Sequence, residues 1–215
     1  MLSFRLGPAE VRFTGRADGD FAAHLEPSCR AVVDLAVRTV RQVHGGDVVM
    51  ADAHGPDARA EADGLVTQRR DVALAVRVAD CAPVVLAGDG AVAVVHAGWR
   101  SLEAGVVQEA VRLLRSLGAV TLEAALGPCV HPECYEFGSD DLDRLADRFG
   151  TAIRSTTARG TPGLDLPRTV RAALEQAGVP LVHDADRCTS CSPGEFWSHR
   201  ARGDLERQAA VAWLA

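Results

Sequence analysis

The 215-residue sequence predicts a mixed α/β fold in which helices cover the faces of a sheet, and three observations carry that prediction. Three Val-rich apolar runs, 72–78, 83–87 and 91–96, follow one another closely. Continuous apolar runs of that length fit strands covered on both faces. Residues 102–117 place Leu102, Val106, Ala110, Leu113 and Leu117 at helical spacing, and Gly118 ends the pattern. A last apolar run, 208–214, reads as a final buried strand.

Each element follows from local signals. Residues 2–6 and 10–13 are expected to pair as strands, with a polar Gly/Asp loop over 14–20. Residues 32–36 read equally as strand or helix, and 47–51 as a short strand after the Gly45-Gly46 turn. Gly88-Asp89-Gly90 predicts a tight connection between the runs on either side. Residues 121–126 return as a strand. Ser139 is expected to cap a helix whose first turn holds Asp140 and Asp141, where carboxylates suit the positive helix end. Its inner face is Leu142, Leu145 and Phe149. Asp165 opens another helix, with Pro167 near its start and Gly178 after its end. With no repeat, low-complexity tract or Pro/Gly-rich linker, a single domain over 1–215 is expected.

Composition narrows the chemistry. All 23 basic residues are Arg; Lys and Asn are absent, and Ile153 is the only Ile, a pattern that matches GC-rich coding bias. The missing Lys excludes a Schiff-base mechanism and a P-loop. A net charge of −6 and no block of Arg give nucleic-acid binding no electrostatic support. No apolar run approaches the roughly 20 residues of a membrane helix. The start, Met1-Leu2-Ser3-Phe4-Arg5, lacks a signal peptide's pattern, so a cytoplasmic location is expected. Six Cys in that setting are expected to be buried, catalytic or metal-bound rather than paired.

Three ligand-type residues sit in loops beside the strands: His44 before Gly45-Gly46, Cys81 between two strands, and His96 at the end of the most apolar run. Strand ends opening into loops are where α/β folds place ligands. Imidazole, thiolate and imidazole suit zinc and leave a fourth position for water or substrate. At separations of 37 and 15 residues they form no compact signature, and on spacing alone a buried Cys with two hydrogen-bonded His is the commoner arrangement. Asp80 is a candidate to orient a ligand His, or equally to cap a turn.

Other residues carry weaker signals. Cys188-Thr-Ser-Cys191 is a C-x-x-C without a second pair, since Cys129 and Cys134 are five positions apart, and it lies too late in the chain for a redox motif. Cys129 and His131 fall in a Pro-bounded loop. His24, His54 and His183 have no constellation around them and read as surface residues. Trp99 either stacks on a base or packs. A copper oxidase of the multicopper type needs many His, usually in His-x-His pairs; seven His with no such pair argue against it.

The segments taken in order carry a resemblance. Gln42-Val43-His44-Gly45, Ala62-Asp63-Gly64-Leu65-Val66-Thr67, Ala79-Asp80-Cys81-Ala82-Pro83-Val84 and His96-Ala97-Gly98-Trp99-Arg100 are followed by Gly127-Pro128, Cys134-Tyr135-Glu136-Phe137, Cys188-Thr189, Phe196-Trp197-Ser198-His199-Arg200 and Arg207-Gln208-Ala209-Ala210. Together, from about Arg41 to the C-terminus, the chain resembles the YfiH family, also called the laccase-domain or FAMIN-like family.

The resemblance implies an α+β fold of two sheets sandwiched between helical layers. It implies that His44, Cys81 and His96 bind Zn2+ and form the catalytic centre. It implies a purine nucleoside phosphorylase that cleaves adenosine, inosine, guanosine or methylthioadenosine with phosphate and can deaminate adenosine. The family's alternative role, editing of peptidoglycan precursors, would make the protein a hydrolase, a cysteine-type amidase with Cys81 as nucleophile and His44 or His96 as base. Phosphate would rest on Arg or backbone amides, with Arg100 and then Arg200 as candidates. The chain departs from the family in its N-terminal region, where the Gly-Gly-Val-Ser and Asn-Leu-Gly segments are missing, at Glu133-Cys134 in place of paired Cys, and at Leu205-Glu206 in place of Thr-Gly.

Overall fold

A computed structural model describes residues 1–22, 29–51 and 60–215; His24 and His54 lie outside the described residues. In chain order the strands are β1 Leu2–Leu6, β2 Ala9–Phe13, β3 Ala36–Arg38, β4 Val48–Met50, β5 Gly64–Thr67, β6 Val72–Val78, β7 Ala82–Gly88, β8 Ala91–Ala97, β9 Glu123–Leu126, β10 Arg154–Thr156, β11 Pro162–Leu164, β12 Leu181–Asp184 and β13 Gln208–Leu214. The helices are α1 Trp99–Ala104, α2 Val106–Ser116, α3 Ser139–Phe149, α4 Leu166–Ala177 and α5 His199–Arg202. One sheet has five strands in the order β1-β2-β13-β6-β3, the other six in the order β12-β9-β7-β8-β5-β4. β10 and β11 form a separate small hairpin.

The apolar runs form strands because each serves two cores at once. Val85, Val92 and Val94 of the six-stranded sheet face Leu74 and Val76 of the five-stranded sheet, with Phe13 and Leu65 beside them. The alternate residues Val84, Leu86, Ala93 and Val95 face the opposite way, onto Leu102, Val107, Leu114, Leu145 and Val170 of the helices. The outer face of the five-stranded sheet, Ala73, Ala75 and Val211, is covered by Phe21, Cys29 and Val33. Side chains alternate across a strand, so a strand buried on both faces reads as an unbroken apolar run. Truncating a fully buried Leu in these layers, such as Leu102 or Leu114, costs about 2–5 kcal/mol.

The β7–β8 connection is a two-residue turn with Asp89 and Gly90 both at positive φ (44° and 77°), the form that matches strand twist. The Asp89 carboxylate also accepts from the Val120 and Thr121 amides at 2.7 Å each.

Several boundaries differ from the sequence reading. The helix expected over 102–117 is two, α1 and α2, broken at Gly105 with φ 91°, and α1 begins directly after β8 at Trp99. Gly138, not Ser139, is the N-cap of α3; the Ser139 hydroxyl turns to the Asp140 carboxylate instead. Asp165 does cap α4, accepting from the Arg168 amide at 2.8 Å. Residues 32–36 give way to a shorter strand, Ala36–Arg38, which overlaps them only at Ala36 and pairs parallel to β6. No helix among the described residues is long and apolar enough to cross a membrane.

Candidate active site

Strand register assembles the centre. The antiparallel pairing of β7 with β8 sets Ala82 opposite Ala97 and Pro83 opposite His96, which brings Cys81, just before β7, to the end of β8. The β5–β8 pairing sets Gly64 opposite Val95, so Asp63 lies beside His96, whose amide donates to the Asp63 carbonyl at 2.7 Å. His44 comes from the turn before β4. The ligand atoms of His44, Cys81 and His96 all lie within 4.8 Å of one another. Cys81 Sγ is 3.9 Å from His44 Nε2, and the two imidazole rings meet edge-on at 4.7 Å.

Asp63 organises this corner. Its carboxylate is fully buried and bonds His96 Nδ1 at 2.7 Å. It also accepts from the amides of Val43 (3.2 Å), His44 (3.0 Å) and Gly45 (2.6 Å). His44 holds φ 59°, a left-handed conformation that costs a non-Gly residue of order 1–3 kcal/mol, and these three charge-assisted bonds offset it. Burial alone would raise the Asp63 carboxyl, but the His96 hydrogen bond and the backbone amides outweigh it and hold it below the usual range.

Cys81 and His96 act on each other. Burial disfavours both charges, yet the His96 charge and the hydrogen bonds from both His bring the Cys81 thiol down to about 6. The Cys81 charge and the Asp63 bond push His96 up in turn. Without metal, these opposed shifts favour a thiolate at Cys81 beside a protonated His96.

The donor set fits a zinc-type ion. With His96 Nδ1 engaged by Asp63, His96 offers Nε2. Zn–S near 2.3 Å and Zn–N near 2.0–2.1 Å in a tetrahedron put S and N about 3.6 Å apart, close to the 3.9 Å between Cys81 and His44. Gly98 keeps the space open: a Cβ there would lie 3.1 Å from both Cys81 Sγ and the His44 ring.

The centre forms part of the wall of a cleft of about 610 Å3. Among the described residues, four arginines line this cleft, Arg77, Arg100, Arg200 and Arg207, against a single carboxylate, Asp80. Arg100 lies over the Trp99 ring at 4.4 Å and Arg200 over Tyr135 at 4.5 Å, both exposed. Arg77 and Arg207 are half-buried. Burial, then repulsion from Arg207, lowers Arg77. Their side chains bond backbone carbonyls, Arg77 to Val40 and Arg207 to Asp204 and Glu206. Burial, with the Cys81 charge adding to it, pushes the Tyr135 hydroxyl up, so it stays protonated at neutral pH.

Of the residues singled out in the sequence, His44, Cys81, His96, Arg100 and Arg200 share this cleft with Trp99 and His199. Asp80 has another task than orienting a His: one oxygen accepts from Thr189 Oγ1 and the other from the Arg200 amide, each at 2.7 Å. The carboxylate on His96 is Asp63, which sequence reasoning had only inside a motif. Arg77 and Arg207 were also missed; a single Arg in the apolar run Val72–Val78 was the available signal for the first. Cys129 and His131 are absent from the cleft lining, and His183 stacks on Phe4 at 3.8 Å rather than standing free at the surface.

Fold and site together define an α+β protein with an open three-donor His/Cys centre on the wall of an arginine-lined cleft. Residues 19–215 match the family described as multi-copper polyphenol oxidoreductase laccase, and the chain belongs to that family. It is 38% identical over 218 residues to "Purine nucleoside phosphorylase SCO2081" of Streptomyces coelicolor, covering 96% of this chain and 89% of the relative. It is 38% identical over 182 residues to "Purine nucleoside phosphorylase Rv2149c" of Mycobacterium tuberculosis, covering 81% and 71%. Among solved structures it resembles Neisseria meningitidis protein NMB0706, with a TM-score of 0.84, 28% identity and coverage of 96% and 94%.

Proposed function

We propose that the protein is a zinc-dependent purine nucleoside phosphorylase whose centre is His44, Cys81 and His96. The observation that carries this reading is the open three-donor centre on the wall of a cleft with four arginines. The names of the relatives point the same way. Three protein donors leave a position for a reacting group, whereas closed structural sites fill all four. Among the described residues, His131, His183 and His199 join no further donor cluster, so a multicopper centre lacks its ligands here despite the family's description.

In phosphorolysis a phosphate oxygen bonds the anomeric carbon while the bond to the purine nitrogen breaks. The electron pair leaves with the base, which takes up a proton, and a sugar 1-phosphate remains. The arginines seat the phosphate, Arg77 and Arg207 from the wall and Arg100 and Arg200 from the rim, each fork gripping oxygens in pairs. Trp99, partly exposed on the cleft wall, is the aromatic candidate to stack on the base. Asp63 fixes the tautomer and orientation of His96. Zinc held by His44, Cys81 and His96 would supply Lewis-acid polarisation of a substrate atom.

The reading extends, on the family resemblance, to adenosine, inosine, guanosine and methylthioadenosine as nucleosides and to deamination of adenosine as a second activity, and it takes the setting to be cytoplasmic. Incubating the purified protein with inosine or adenosine, with and without phosphate, tests the reading. Base release that requires phosphate supports it, and ammonia release from adenosine reads the deaminase. Failure to release base under any condition would sink it.

One observation favours a second reading. Asp63, His96 and Cys81 also form an oriented base and a lowered thiol, the arrangement of a cysteine amidase or hydrolase acting on a cell-wall precursor. Hydrolysis that survives chelation, without nucleoside turnover, would favour it.

A further inference from the structure

Cys188-Thr-Ser-Cys191 lacks a C-x-x-C partner in the sequence, but in the fold it meets Glu133 and Cys134 of the short 3-10 turn Pro132–Cys134. The donor atoms of Glu133, Cys134, Cys188 and Cys191 all lie within 4.8 Å of one another. We propose that these four side chains form a second, closed metal site for a zinc-type ion, which ties the C-terminal loop to the Pro132–Cys134 turn.

The two segments are already held in place by backbone. Cys129 and Cys188 form an isolated parallel bridge, and the Thr189 amide donates to the Cys129 carbonyl at 3.0 Å. The His131 amide donates to Cys188 Sγ at 3.4 Å; burial raises the Cys188 thiol, and this bond opposes the rise. Cys134 Sγ and Cys191 Sγ are 3.2 Å apart, and Cys191 Sγ is 3.5 Å from a Glu133 carboxylate oxygen. Two thiolates on tetrahedral zinc stand about 3.8 Å apart, and a disulfide brings sulfurs to about 2.05 Å; the observed spacing is nearer the metal edge. Three thiolates and a carboxylate on a divalent ion leave net negative charge. Arg159 and Arg200 lie beside Cys134 in a neighbouring cavity, and Arg202 bonds the Thr189 and Ser190 carbonyls.

The site bears on the cleft through Thr189, which lies between the two cysteines of the motif. Thr189 Oγ1 donates to Asp80, the residue before Cys81, and the other Asp80 oxygen takes the Arg200 amide. A metal here is a structural staple behind the cleft wall. It supplies no step of the reaction.

Metal stoichiometry, cobalt(II) absorption and thiol mapping of the full chain test this. Loaded with zinc, the unmodified chain should hold two ions and Cys191→Ser one. A fall from one ion to none would support this site and count against zinc at His44, Cys81 and His96, which keeps the two readings separable. Cobalt(II) added to Cys81→Ala should give a thiolate-to-cobalt charge-transfer band that saturates at one ion per chain, and Cys81→Ala/Cys188→Ser should lack it. Two results would overturn the proposal. One is no thiolate–cobalt band in a folded Cys81→Ala chain. The other is a chain as isolated that has lost two hydrogens, with Cys134 and Cys191 closed to alkylation as a disulfide.

Discussion

The two donor clusters are built from similar residues and differ in everything around them. Cys81 and His96 stand at strand ends set by the β7–β8 register, His44 stands in the turn before β4 tied to Asp63, and the three open into a cleft with four arginines among the described residues. Glu133, Cys134, Cys188 and Cys191 stand on two loops, offer four donors rather than three, and occupy no part of that cleft's lining. An open three-donor centre leaves room for substrate, whereas a four-donor centre is complete and contributes stability. Ligand count and surroundings, more than the presence of Cys and His, separate a site that reacts from one that holds.

Breaking the open centre should have the largest effect. Cys81→Ala is expected to lower phosphate-dependent base release to background and to remove one bound ion, read by product chromatography and metal analysis. Asp63→Ala comes next. It frees His96 and takes three backbone amides from their acceptor, and loss of such a supporting carboxylate costs about 10–100-fold in metal affinity or activity. Metal titration and kcat/KM would check it.

Arg77→Ala should raise the KM for phosphate by about 10-fold, as one charge-assisted contact is worth at least about 1.5 kcal/mol, with kcat less changed. An equal KM for phosphate would remove Arg77 from the anion seat. The metal-free protein should also show its Cys81 by pH. Burial would raise that thiol, but the His96 charge outweighs it and places it near 6. Alkylation of Cys81 should therefore reach half its maximal rate near pH 6, while the hydrogen bond with Cys134, then burial and the Cys188 thiol, hold the Cys191 thiol well above the ordinary range, so its alkylation should need more alkaline pH. The smallest effect on turnover belongs to the closed cluster. Cys191→Ser should lower the Tm and lessen, without removing, its sensitivity to chelator, since the ion at the open centre remains, while turnover survives.

The sheets were legible where strands are buried on both faces: residues 72–78 and 208–214 match β6 and β13 because nothing polar but Arg77 and Gln208 interrupts them. β5 was not read as a strand, since four residues beginning with Gly give too short a pattern, and β12 is half-exposed and irregular, with a register shift between Leu181 and His183. The three side chains that meet, His44, Cys81 and His96, were legible by residue type and by resemblance. Their partners were not. Asp63 reaches His96 across 33 residues through strand register, a tertiary fact with no local trace. Asp80 read equally as an orienting carboxylate or as a turn cap; its φ of 89° and its bonds to Thr189 Oγ1 and the Arg200 amide give it to the loop behind the cleft. The C-x-x-C seemed unpartnered because its complement is an adjacent Glu-Cys, a spacing that no four-Cys pattern anticipates.

The central claim is that one metal centre drives phosphate-dependent cleavage of purine nucleosides. Its most direct measurement is ribose 1-phosphate formed from inosine by the zinc-loaded chain and by Cys81→Ala, with metal counted in the same samples. The account predicts ribose 1-phosphate and hypoxanthine in equal amounts from the unmodified chain, strictly dependent on phosphate, and neither from Cys81→Ala, which holds one ion fewer. Full product from a folded Cys81→Ala chain, or base release that ignores phosphate, would contradict it.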